Sequence, residues 1–376
     1  MGRSKLNIGI LTSSRADYGI YVPVLKAMKK DAEIEISIIA FGTHVKEEFG
    51  YTLNGILDDG FEVPFQLDTL LPGDKPVDIS ASFGHTSSLF ASFWEDHSSK
   101  FDIVLCLGDR YEMAAAVTAG IPFGVKFAHI HAGETSEGAI DNIYRDQISL
   151  ASEIHFVSLP QFKTRIENLT QKKNTAYVVG AVSLENIKNT PLLTVEEFYK
   201  KWNIDLKLPS ILLTMHPETV HFEMNHQYCN EIEKTVNYLA KKYQLIISMP
   251  NADTLGSIYR ASFEKSASSH SSVILIENFG NQSYFTAMQY CNLLIGNSSS
   301  GLLEAASFNK YVLNLGDRQK NRACGENVIH IPINFEKIIE ATEMYMNREF
   351  LKNNIYAQDN GVQILIDQLK LHLNEL

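Results

Sequence analysis

The segment Leu6–Gly19 has the sequence LNIGILTSSRADYG, which consists of a short apolar run, a polar loop and the start of an amphipathic stretch. Apolar residues at consecutive positions are typical of a parallel strand that helices cover on both faces. Such a strand followed by a helix is the repeating unit of an α/β fold. The segment therefore predicts that the chain begins with a doubly wound α/β domain.

The same alternation of apolar runs and amphipathic stretches continues along the chain. In the first half it predicts strands at Ile34–Ala40, Ile103–Leu107, Phe127–Ile130, Ile154–Val157 and Tyr177–Val179, with helices at Gly19–Lys30, Val45–Asp58, Arg110–Ala119, Asn142–Ala151 and Gln161–Asn168. In the second half it predicts strands at Ile211–Thr214, Leu245–Ser248, Val273–Ile276, Leu293–Ile295 and Val312–Leu315, with helices at Phe222–Lys242, Thr254–Ser266, Tyr284–Gln289 and Ser300–Ser307.

This pattern predicts an α/β fold with two Rossmann-like doubly wound domains, over residues 1–180 and 181–358. A chain of 376 residues is also longer than one hydrophobic core usually serves. The segment 359–376 follows the last predicted strand, and we expect a helix there that packs back on the first domain.

Composition narrows the classes of partner. The chain carries 44 acidic against 33 basic residues, a net charge of -11 that repels nucleic acid. The first apolar run is too short to cross a membrane or to act as a signal segment. Its four cysteines show no metal-like spacing and are typical of free thiols in a reducing cytosol. We expect a cytoplasmic protein without a nucleic-acid or membrane partner.

Polar residues that follow the strands are candidates for a ligand site, because doubly wound sheets bind ligands beyond the carboxyl ends of their strands. The first such loop carries Arg15 and Asp17 and lacks the GxGxxG fingerprint, so NAD is not expected. Either Arg15 and the loop amides bind a phosphate while Asp17 caps the helix, or the loop is a cap only. His44, after the second strand, is a further candidate, although a single His there is more often structural.

The next strand ends supply acidic and imidazole side chains, namely Asp109 with Arg110, then His131 with Glu134, then Asp141. Carboxylates that share a poorly hydrated pocket differ in proton affinity, which suits general acid and base catalysis. The alternative for Asp109 is a helix cap. The alternative for the histidines and Glu134 is a metal site, but no second cluster supplies further ligands, so we expect no metal.

In the second half, His216 follows a strand and precedes Pro217, which keeps its backbone extended. As a cation it could stabilise a leaving phosphate; the alternative is an exposed loop residue. The turn Gly296–Ala305, with the sequence GNSSSGLLEA, is expected to bind a diphosphate through its amides and three free hydroxyls. Glu304 could accept hydrogen bonds from a cis-diol such as ribose, and Arg318 follows the next strand. The alternative is an ordinary Ser-capped helix.

The order and spacing of these motifs resemble those of the hydrolysing UDP-N-acetylglucosamine 2-epimerases of sialic acid biosynthesis. The resemblance covers nearly the whole chain. It is carried by Ser13–Tyr18, Gly42–His44, Gly108–Arg110, His129–Glu134, Ile140–Asp141, His216–Pro217, Gly296–Ser299, Asn314–Arg318 and Gly325–Val328.

The resemblance implies the two-domain glycosyltransferase-B architecture, a UDP-sugar substrate in the cleft, no metal or nicotinamide cofactor, and a homodimer or homotetramer. In this family UDP leaves with loss of the C2 proton to give a 2-acetamidoglycal, and water then releases N-acetylmannosamine. Carried over by motif, the family's roles fall on catalytic Asp109 and Asp141, on His216 for UDP departure, and on nucleotide-binding Arg15, Asn297, Ser298, Ser299, Glu304 and Arg318.

Three alternatives stay open at this point. Some relatives carry a glutamate where this chain has His131, so the proton-transfer partner is either His131 or Glu134. A branch of the family acts on UDP- or GDP-linked 2,4-diacetamido-2,4,6-trideoxyglucose, on the way to legionaminic acid. A glycosyltransferase with a UDP-sugar donor is the alternative of a different class. An idle nucleotide-sugar binder is disfavoured, because unused buried carboxylates cost stability.

Overall fold

The computed structural model describes residues 5–135, 140–218, 222–250 and 255–375. The described residues divide into two compact units: those within Met1–Glu134, Asp141–Asn186 and Tyr356–Leu376 form the first, and those within Thr135–Ile140 and Ile187–Ile355 form the second. In these ranges, no helix combines the length and apolar character that crossing a bilayer requires.

The strands of the first unit are β1 (Leu6–Thr12), β2 (Ile34–Phe41), β3 (Phe65–Leu67), β4 (Ile103–Leu107), β5 (Phe127–Ile130), β6 (Ile154–Val157) and β7 (Ala176–Val178). Within the described residues they form one seven-stranded parallel sheet in the order β3-β2-β1-β4-β5-β6-β7. The order reverses between β1 and β4, which is the switch point where such sheets bind ligands.

The strands of the second unit are β8 (Ser210–Thr214), β9 (Gln244–Ser248), β10 (Val273–Ile276), β11 (Leu293–Gly296), β12 (Val312–Leu315) and β13 (Val328–Ile331). In the described part of the chain they form a six-stranded parallel sheet in the order β10-β9-β8-β11-β12-β13. The switch point of this sheet lies between β8 and β11.

The helices are α1 (Arg15–Lys30), α2 (Leu53–Asp58), α3 (Pro76–His97), α4 (Tyr111–Gly120), α5 (Asp141–Leu150), α6 (Pro160–Thr170), α7 (Leu184–Asn189), α8 (Val195–Trp202), α9 (Asn225–Leu239), α10 (Gly256–Ser269), α11 (Gly280–Tyr290), α12 (Ser299–Leu303), α13 (Phe335–Tyr345) and α14 (Gly361–Glu375). Short 3-10 turns occupy Gly42–Val45, Glu47–Phe49, Ser98–Lys100, Ile121–Phe123, Phe222–Met224 and Ala305–Phe308. The change of unit falls inside α7, after Asn186.

The last helix, α14, packs against α1 in the core of the first unit. Its residues Leu365 and Leu369 are fully buried there. The helix begins at Gly361, where a Cβ atom would overlap the carbonyl oxygen of Val179. Lys370 adds an ion pair with Asp31 at 2.5 Å. The chain thus returns to its first unit after completing the second.

Several elements differ from the sequence prediction. No single helix covers Val45–Asp58, because Gly50 and Tyr51 have positive φ angles of 81° and 42°, which interrupt a helix after one turn. The strand β3 and the helix α3 lie where no element was predicted. In the second unit, the helices α8 and α13 and the strand β13 were likewise not predicted.

Candidate active site

The acidic and imidazole side chains of the first unit follow two neighbouring strands. Asp109 lies two residues beyond β4, and His131 comes directly after β5. Because β4 and β5 pair in parallel, with Leu107 opposite Ile130, the residues after them lie at the same edge of the sheet. This edge therefore brings together the side chains that the sequence placed on separate loops.

Arg145 on α5 connects these side chains. Its Nη1 atom donates to the carbonyl oxygen of His131 at 2.8 Å and lies 4.0 Å from Oε2 of Glu134. Its Nη2 atom donates to Oδ2 of Asp109. The Arg145 side chain is only 3% exposed, and a buried guanidinium requires such acceptors. Arg145 therefore positions the carboxylates and the His131 backbone relative to each other.

Sequence reasoning assigned no role to Arg145, although a signal was present. The buried residues of α5 are Arg145, Ile148 and Ser149, which share one helix face. A charged residue in the buried stripe of an amphipathic helix needs a partner in the core. Its position therefore indicates a buried ion pair.

His131 and Glu134 form a buried pair. Nδ1 of His131 lies 2.6 Å from Oε1 of Glu134, which also accepts a hydrogen bond from Ser158 at 2.7 Å. This contact engages Nδ1, so Nε2 is the ring nitrogen that does not contact the carboxylate. Within the described residues, this buried Nε2 has no hydrogen-bond partner. The carboxylate of Glu134 thus orients the His131 ring.

The backbone at this position is also unusual. His131 has a φ of 60°, in the left-handed region. For a residue with a side chain this conformation costs about 1–3 kcal/mol, and it persists where surrounding contacts over-determine it. The hydrogen bonds from Arg145 to the His131 carbonyl and from the ring to Glu134 are such contacts.

His129, two residues earlier, supports the loop that carries Asp109. Its Nε2 lies 2.8 Å from the carbonyl oxygen of Gly108 and its Nδ1 lies 2.9 Å from the hydroxyl of Ser149. Burial lowers the pKa of His129 well below its usual value, so the ring is neutral, with the proton on Nε2. Since both ring nitrogens are engaged, His129 does not offer a metal ligand. In the described ranges, His, Cys, Asp and Glu side chains form no group of three that could hold a metal ion.

Asp141 begins α5, one turn before Arg145. Burial, followed by the negative charges of Asp141 and Glu112, raises the pKa of the Tyr144 hydroxyl. Tyr144 is therefore protonated at neutral pH and is a hydrogen-bond donor next to two carboxylates. Glu112 is itself buried and accepts a hydrogen bond from Nη2 of Arg110 at 2.8 Å.

The remaining candidates of the first unit lie at the end of β1 and β2. Asp17 accepts hydrogen bonds from the backbone and hydroxyl of Ser13 at 2.9 and 2.6 Å. Burial raises the pKa of Asp17, and the positive charge of Arg110 partly opposes that rise. The side chain thus acts as part of the helix cap, while Arg15 is the partly exposed first residue of α1.

His44 is fully buried between two hydroxyl groups. Its Nε2 lies 2.9 Å from Thr12 Oγ1 and its Nδ1 lies 2.8 Å from Thr52 Oγ1. Burial lowers its pKa to about 4, so the ring is neutral at pH 7. These contacts support the structural interpretation of His44.

In the second unit, the turn Asn297–Ser300, here called the serine turn, follows β11 at the switch point of the sheet. It is preceded by Gly296, whose φ is 143° and where a Cβ atom would overlap the carbonyl oxygen of Thr214. The Asn297 side chain pairs with the backbone of His216. The N–H of His216 donates to Oδ1 of Asn297, and Nδ2 of Asn297 donates to the carbonyl oxygen of His216, each at 2.8 Å. Asn297 therefore holds the His216 loop against the serine turn.

The loop after β12 joins the same cluster. Gln319 Nε2 and Arg318 Nη1 donate to the carbonyl oxygen of Asn297, at 3.0 and 3.3 Å. Glu218, only 2% exposed, accepts a hydrogen bond from the backbone of Asp317 at 2.6 Å. Sequence reasoning gave Gln319 and Glu218 no role. The contacts of Gln319 and Glu218 hold the loop that carries Arg318 close to the serine turn.

The sequence analysis expected three free hydroxyls in the serine turn, but not all of them are free. The Ser300 hydroxyl donates to Oε2 of Glu304 at 2.6 Å and lies 2.9 Å from the Tyr284 hydroxyl. The Ser298 hydroxyl accepts from the backbone of Ser300 at 3.3 Å and caps α12, which is only five residues long. Ser298 and Ser299 are partly exposed. That expectation was therefore wrong for Ser300, because its hydroxyl orients Glu304.

A sequence model described as UDP-N-acetylglucosamine 2-epimerase matches residues 26–370, which is most of the chain. The chain belongs to this family.

Two characterised members of the family are similar in sequence to this chain over nearly their whole length. The UDP-N,N'-diacetylbacillosamine 2-epimerase (hydrolyzing) of Legionella pneumophila is 31% identical over 349 residues, which cover 92% of this chain and 91% of that protein. The GDP/UDP-N,N'-diacetylbacillosamine 2-epimerase (hydrolyzing) of Campylobacter jejuni is 31% identical over 351 residues, which cover 93% and 90%. The resemblance to hydrolysing 2-epimerases is confirmed, and the chain is a nucleotide-sugar 2-epimerase.

Solved structures in the family have the same fold. The UDP-GlcNAc 2-epimerase of Neisseria meningitidis bound to UDP-GlcNAc superposes with a TM-score of 0.79 at 21% identity, covering 97% of this chain and 100% of that chain. The Methanocaldococcus jannaschii enzyme, in complex with UDP-GlcNAc and UDP, gives a TM-score of 0.79 at 17% identity, with the same coverage. The expected fold class, two Rossmann-like domains of the glycosyltransferase-B type, is confirmed.

Proposed function

We propose that this epimerase is hydrolysing: it converts a UDP-linked 2-acetamido sugar and water into UDP and the free sugar with inverted configuration at C2. The observation that carries the proposal is the buried His131–Glu134 pair: Nε2 of His131 has no hydrogen-bond partner among the described residues, and the pair belongs to the same hydrogen-bonded cluster as Asp109. Such a cluster can accept and return protons without a metal or a redox cofactor.

The proposed reaction has two steps. First, a base takes the proton from C2 while the bond between C1 and the UDP oxygen breaks, which leaves a C1=C2 double bond. Then water adds its oxygen to C1, and a proton returns to C2 from the opposite face. We assign these proton transfers to His131, Asp109 and Asp141, with Glu134 positioning His131 and Arg145 positioning Asp109.

The second unit supplies most of the groups that we assign to the nucleotide. Ser298, Ser299 and Arg318 bind the diphosphate, together with Arg15 from the first unit, and Glu304 binds the ribose. A protonated His216 offsets the charge that develops on the departing UDP. Cleavage of the C1–O bond transfers negative charge to the diphosphate, so cationic and hydroxyl groups there lower the barrier.

The sugar is the finer part of the proposal. Identity of 31% to two enzymes of diacetylbacillosamine, against 25% to the UDP-N-acetylglucosamine 2-epimerase of Neisseria meningitidis, favours UDP-N,N'-diacetylbacillosamine. The second candidate, UDP-N-acetylglucosamine, is favoured by the likeness to structures that contain it. We further propose a cytoplasmic homodimer or homotetramer that serves legionaminic or sialic acid synthesis.

The proposal is tested by incubating the enzyme with each nucleotide sugar in deuterated water, without an acceptor, and analysing the products by NMR. We expect UDP and a free 2-epimeric sugar that carries one deuterium at C2. A product still linked to UDP would contradict hydrolysis. Turnover that requires an added acceptor would indicate a transferase. Free sugar without deuterium at C2 would contradict the elimination step.

A further inference from the structure

Tyr144 is an aromatic residue at the edge of the first unit where the acidic side chains lie. It stands in the first turn of α5, directly before Arg145 and three residues after Asp141. Its side chain is partly exposed, and among the described residues its hydroxyl makes no hydrogen bond. The fold therefore leaves this hydroxyl available to a ligand.

The ring of Tyr144 is held in place although its hydroxyl is not. It stacks on the ring of Phe83 from α3, with 6.0 Å between the ring centroids and 28° between the ring planes. This separation lies within the range that aromatic pairs favour. Both rings also pack against the buried cluster that includes Phe90, Trp94 and Met113. Tyr144 and Phe83 thus form an apolar wall, here called the aromatic wall, that carries one hydroxyl group.

The charges near this hydroxyl restrict the kind of atom that it can bind. Burial, and then the negative charges of Asp141 and Glu112, raise the pKa of Tyr144, so the hydroxyl keeps its proton and can donate a hydrogen bond. The same two carboxylates disfavour an anionic acceptor such as a phosphate oxygen. A neutral oxygen, such as that of a carbonyl group, meets no such repulsion and is the acceptor that fits.

An acetamido group matches both properties of the aromatic wall. It combines a neutral carbonyl oxygen, which accepts a hydrogen bond, with a methyl group that can pack on an aromatic ring. Both candidate sugars of the proposed function carry such a group at C2. Under that function, C2 exchanges its proton beside Asp109 and Asp141, so its acetamido group comes close to the turn of α5 that contains Tyr144.

We propose that Tyr144 is a further substrate-binding residue, whose hydroxyl donates a hydrogen bond to the carbonyl oxygen of the C2 acetamido group. Phe83 positions the Tyr144 ring, and the acetamido methyl group packs on the aromatic wall. The inference rests on the proposed function and extends it to the recognition of an N-acetylated sugar. A site built to hydrogen-bond a substrate group discriminates against an analogue that lacks the group. Tyr144 therefore contributes to selectivity for the sugar and not to affinity for the nucleotide.

The test compares Tyr144→Phe with Tyr199→Phe, a control that removes the hydroxyl of an exposed tyrosine in the second unit. Both changes are made in Asp109→Asn protein, so that bound sugar is not turned over during calorimetry. The ligands are UDP-N-acetylglucosamine, UDP-N,N'-diacetylbacillosamine, UDP-glucose, which lacks the acetamido group, and UDP. We expect Tyr144→Phe to weaken binding of the acetamido sugars about fivefold, the scale of one lost hydrogen bond, and to leave the affinities for UDP-glucose and UDP unchanged.

Equal affinity of Tyr144→Phe and Tyr199→Phe for the acetamido sugars would overturn the proposal. A loss that UDP or UDP-glucose shows to the same extent would also overturn it, because a disturbed fold or a contact with the nucleotide would then be the cause. Turnover of the same sugars by the wild-type enzyme tests the proposed function separately. Absence of UDP release would refute hydrolysis, whereas the affinity ratios would still decide whether Tyr144 binds the acetamido group.

Discussion

At the scale of single residues, Arg145 explains why the partly exposed Asp109 and the buried Glu134 can both lie next to one guanidinium. Asp109 and Glu134 would repel each other at close range, and the guanidinium between them offsets that repulsion. The same side chain fixes the carbonyl of His131, whose ring is held by Glu134. A side chain that is held on both sides in this way keeps a fixed geometry.

Tyr284 tests the orientation of Glu304. Tyr284→Phe removes only the hydroxyl that contacts Ser300, which in turn donates to Glu304. Loss of one hydrogen bond costs about 1 kcal/mol, so we expect UDP affinity to fall about fivefold while kcat changes little. Tyr290→Phe, on the same helix at an exposed position, is the control. Calorimetry that finds equal UDP affinity in both variants would contradict this orientation.

His44 makes stability depend on pH. Its pKa is about 4 in the folded protein because of burial, against about 6.5 for an unfolded chain. Below pH 6.5 the unfolded state binds the extra proton first, so stability falls as the pH drops from 6.5 to 4, by up to about 3 kcal/mol. Urea unfolding at pH 7 and pH 4.5 should show a smaller pH effect in His44→Gln than in wild type.

The exposed His226→Gln variant is the control for this measurement, and it should show the wild-type pH dependence. The difference between His44→Gln and wild type isolates the contribution of His44 to the pH dependence of stability. The buried His129 and His155, whose pKa values are also lowered by burial, contribute equally to both proteins. An identical pH dependence in His44→Gln and wild type would mean that His44 is not kept neutral by the fold.

The sequence located the residues that end up at the strand termini, because that argument needs only the order of strands and loops. It did not predict the 2.6 Å contact between His131 and Glu134, because this contact depends on a positive φ at His131 that no sequence pattern specifies. Likewise, the sequence did not predict that the Asn297 side chain pairs with the His216 backbone. Contacts between residues far apart in the chain are set by tertiary packing and remain outside local patterns.

At the scale of elements, α14 is a test of how the chain returns to its first unit. Leu369 is fully buried and Leu371, on the same helix, is 49% exposed. We expect Leu369→Ala to lower the free energy of unfolding by about 2–5 kcal/mol, because it removes buried methyl groups and leaves a cavity. Leu371→Ala keeps the same helix propensity and should change it by less than about 1 kcal/mol. Denaturant unfolding that finds equal effects would contradict this packing.

The buried parallel strands were the elements easiest to predict, since apolar runs such as β4 and β5 are covered on both faces. The helix α3 was missed because its buried face includes Ser82 and Thr86 beside Phe90, Phe93 and Trp94. Polar residues in the buried stripe weaken the periodic signal on which prediction depends. The strand β13 was missed for a similar reason, because only Val328 in it is buried.

At the scale of the whole molecule, the two units repeat one design with different residues after the strands. In the first unit Asp109 follows β4, which borders the switch point, and His131 and Glu134 follow the neighbouring β5, while the serine turn follows β11 at the switch point of the second sheet. We infer a division of work in which the first unit transfers protons and the second binds the nucleotide. Such a division predicts that catalysis and UDP affinity can be impaired separately.

The most direct test is to measure turnover and UDP affinity together in Asp109→Asn and Asp141→Asn, with the exposed Asp96→Asn as control. The account predicts that both variants bind UDP like wild type and lose turnover by at least about a hundredfold, the usual scale of general acid or base catalysis, while the control keeps both. Wild-type turnover in either variant, or a loss of turnover that is matched by an equal loss of UDP affinity, would contradict it.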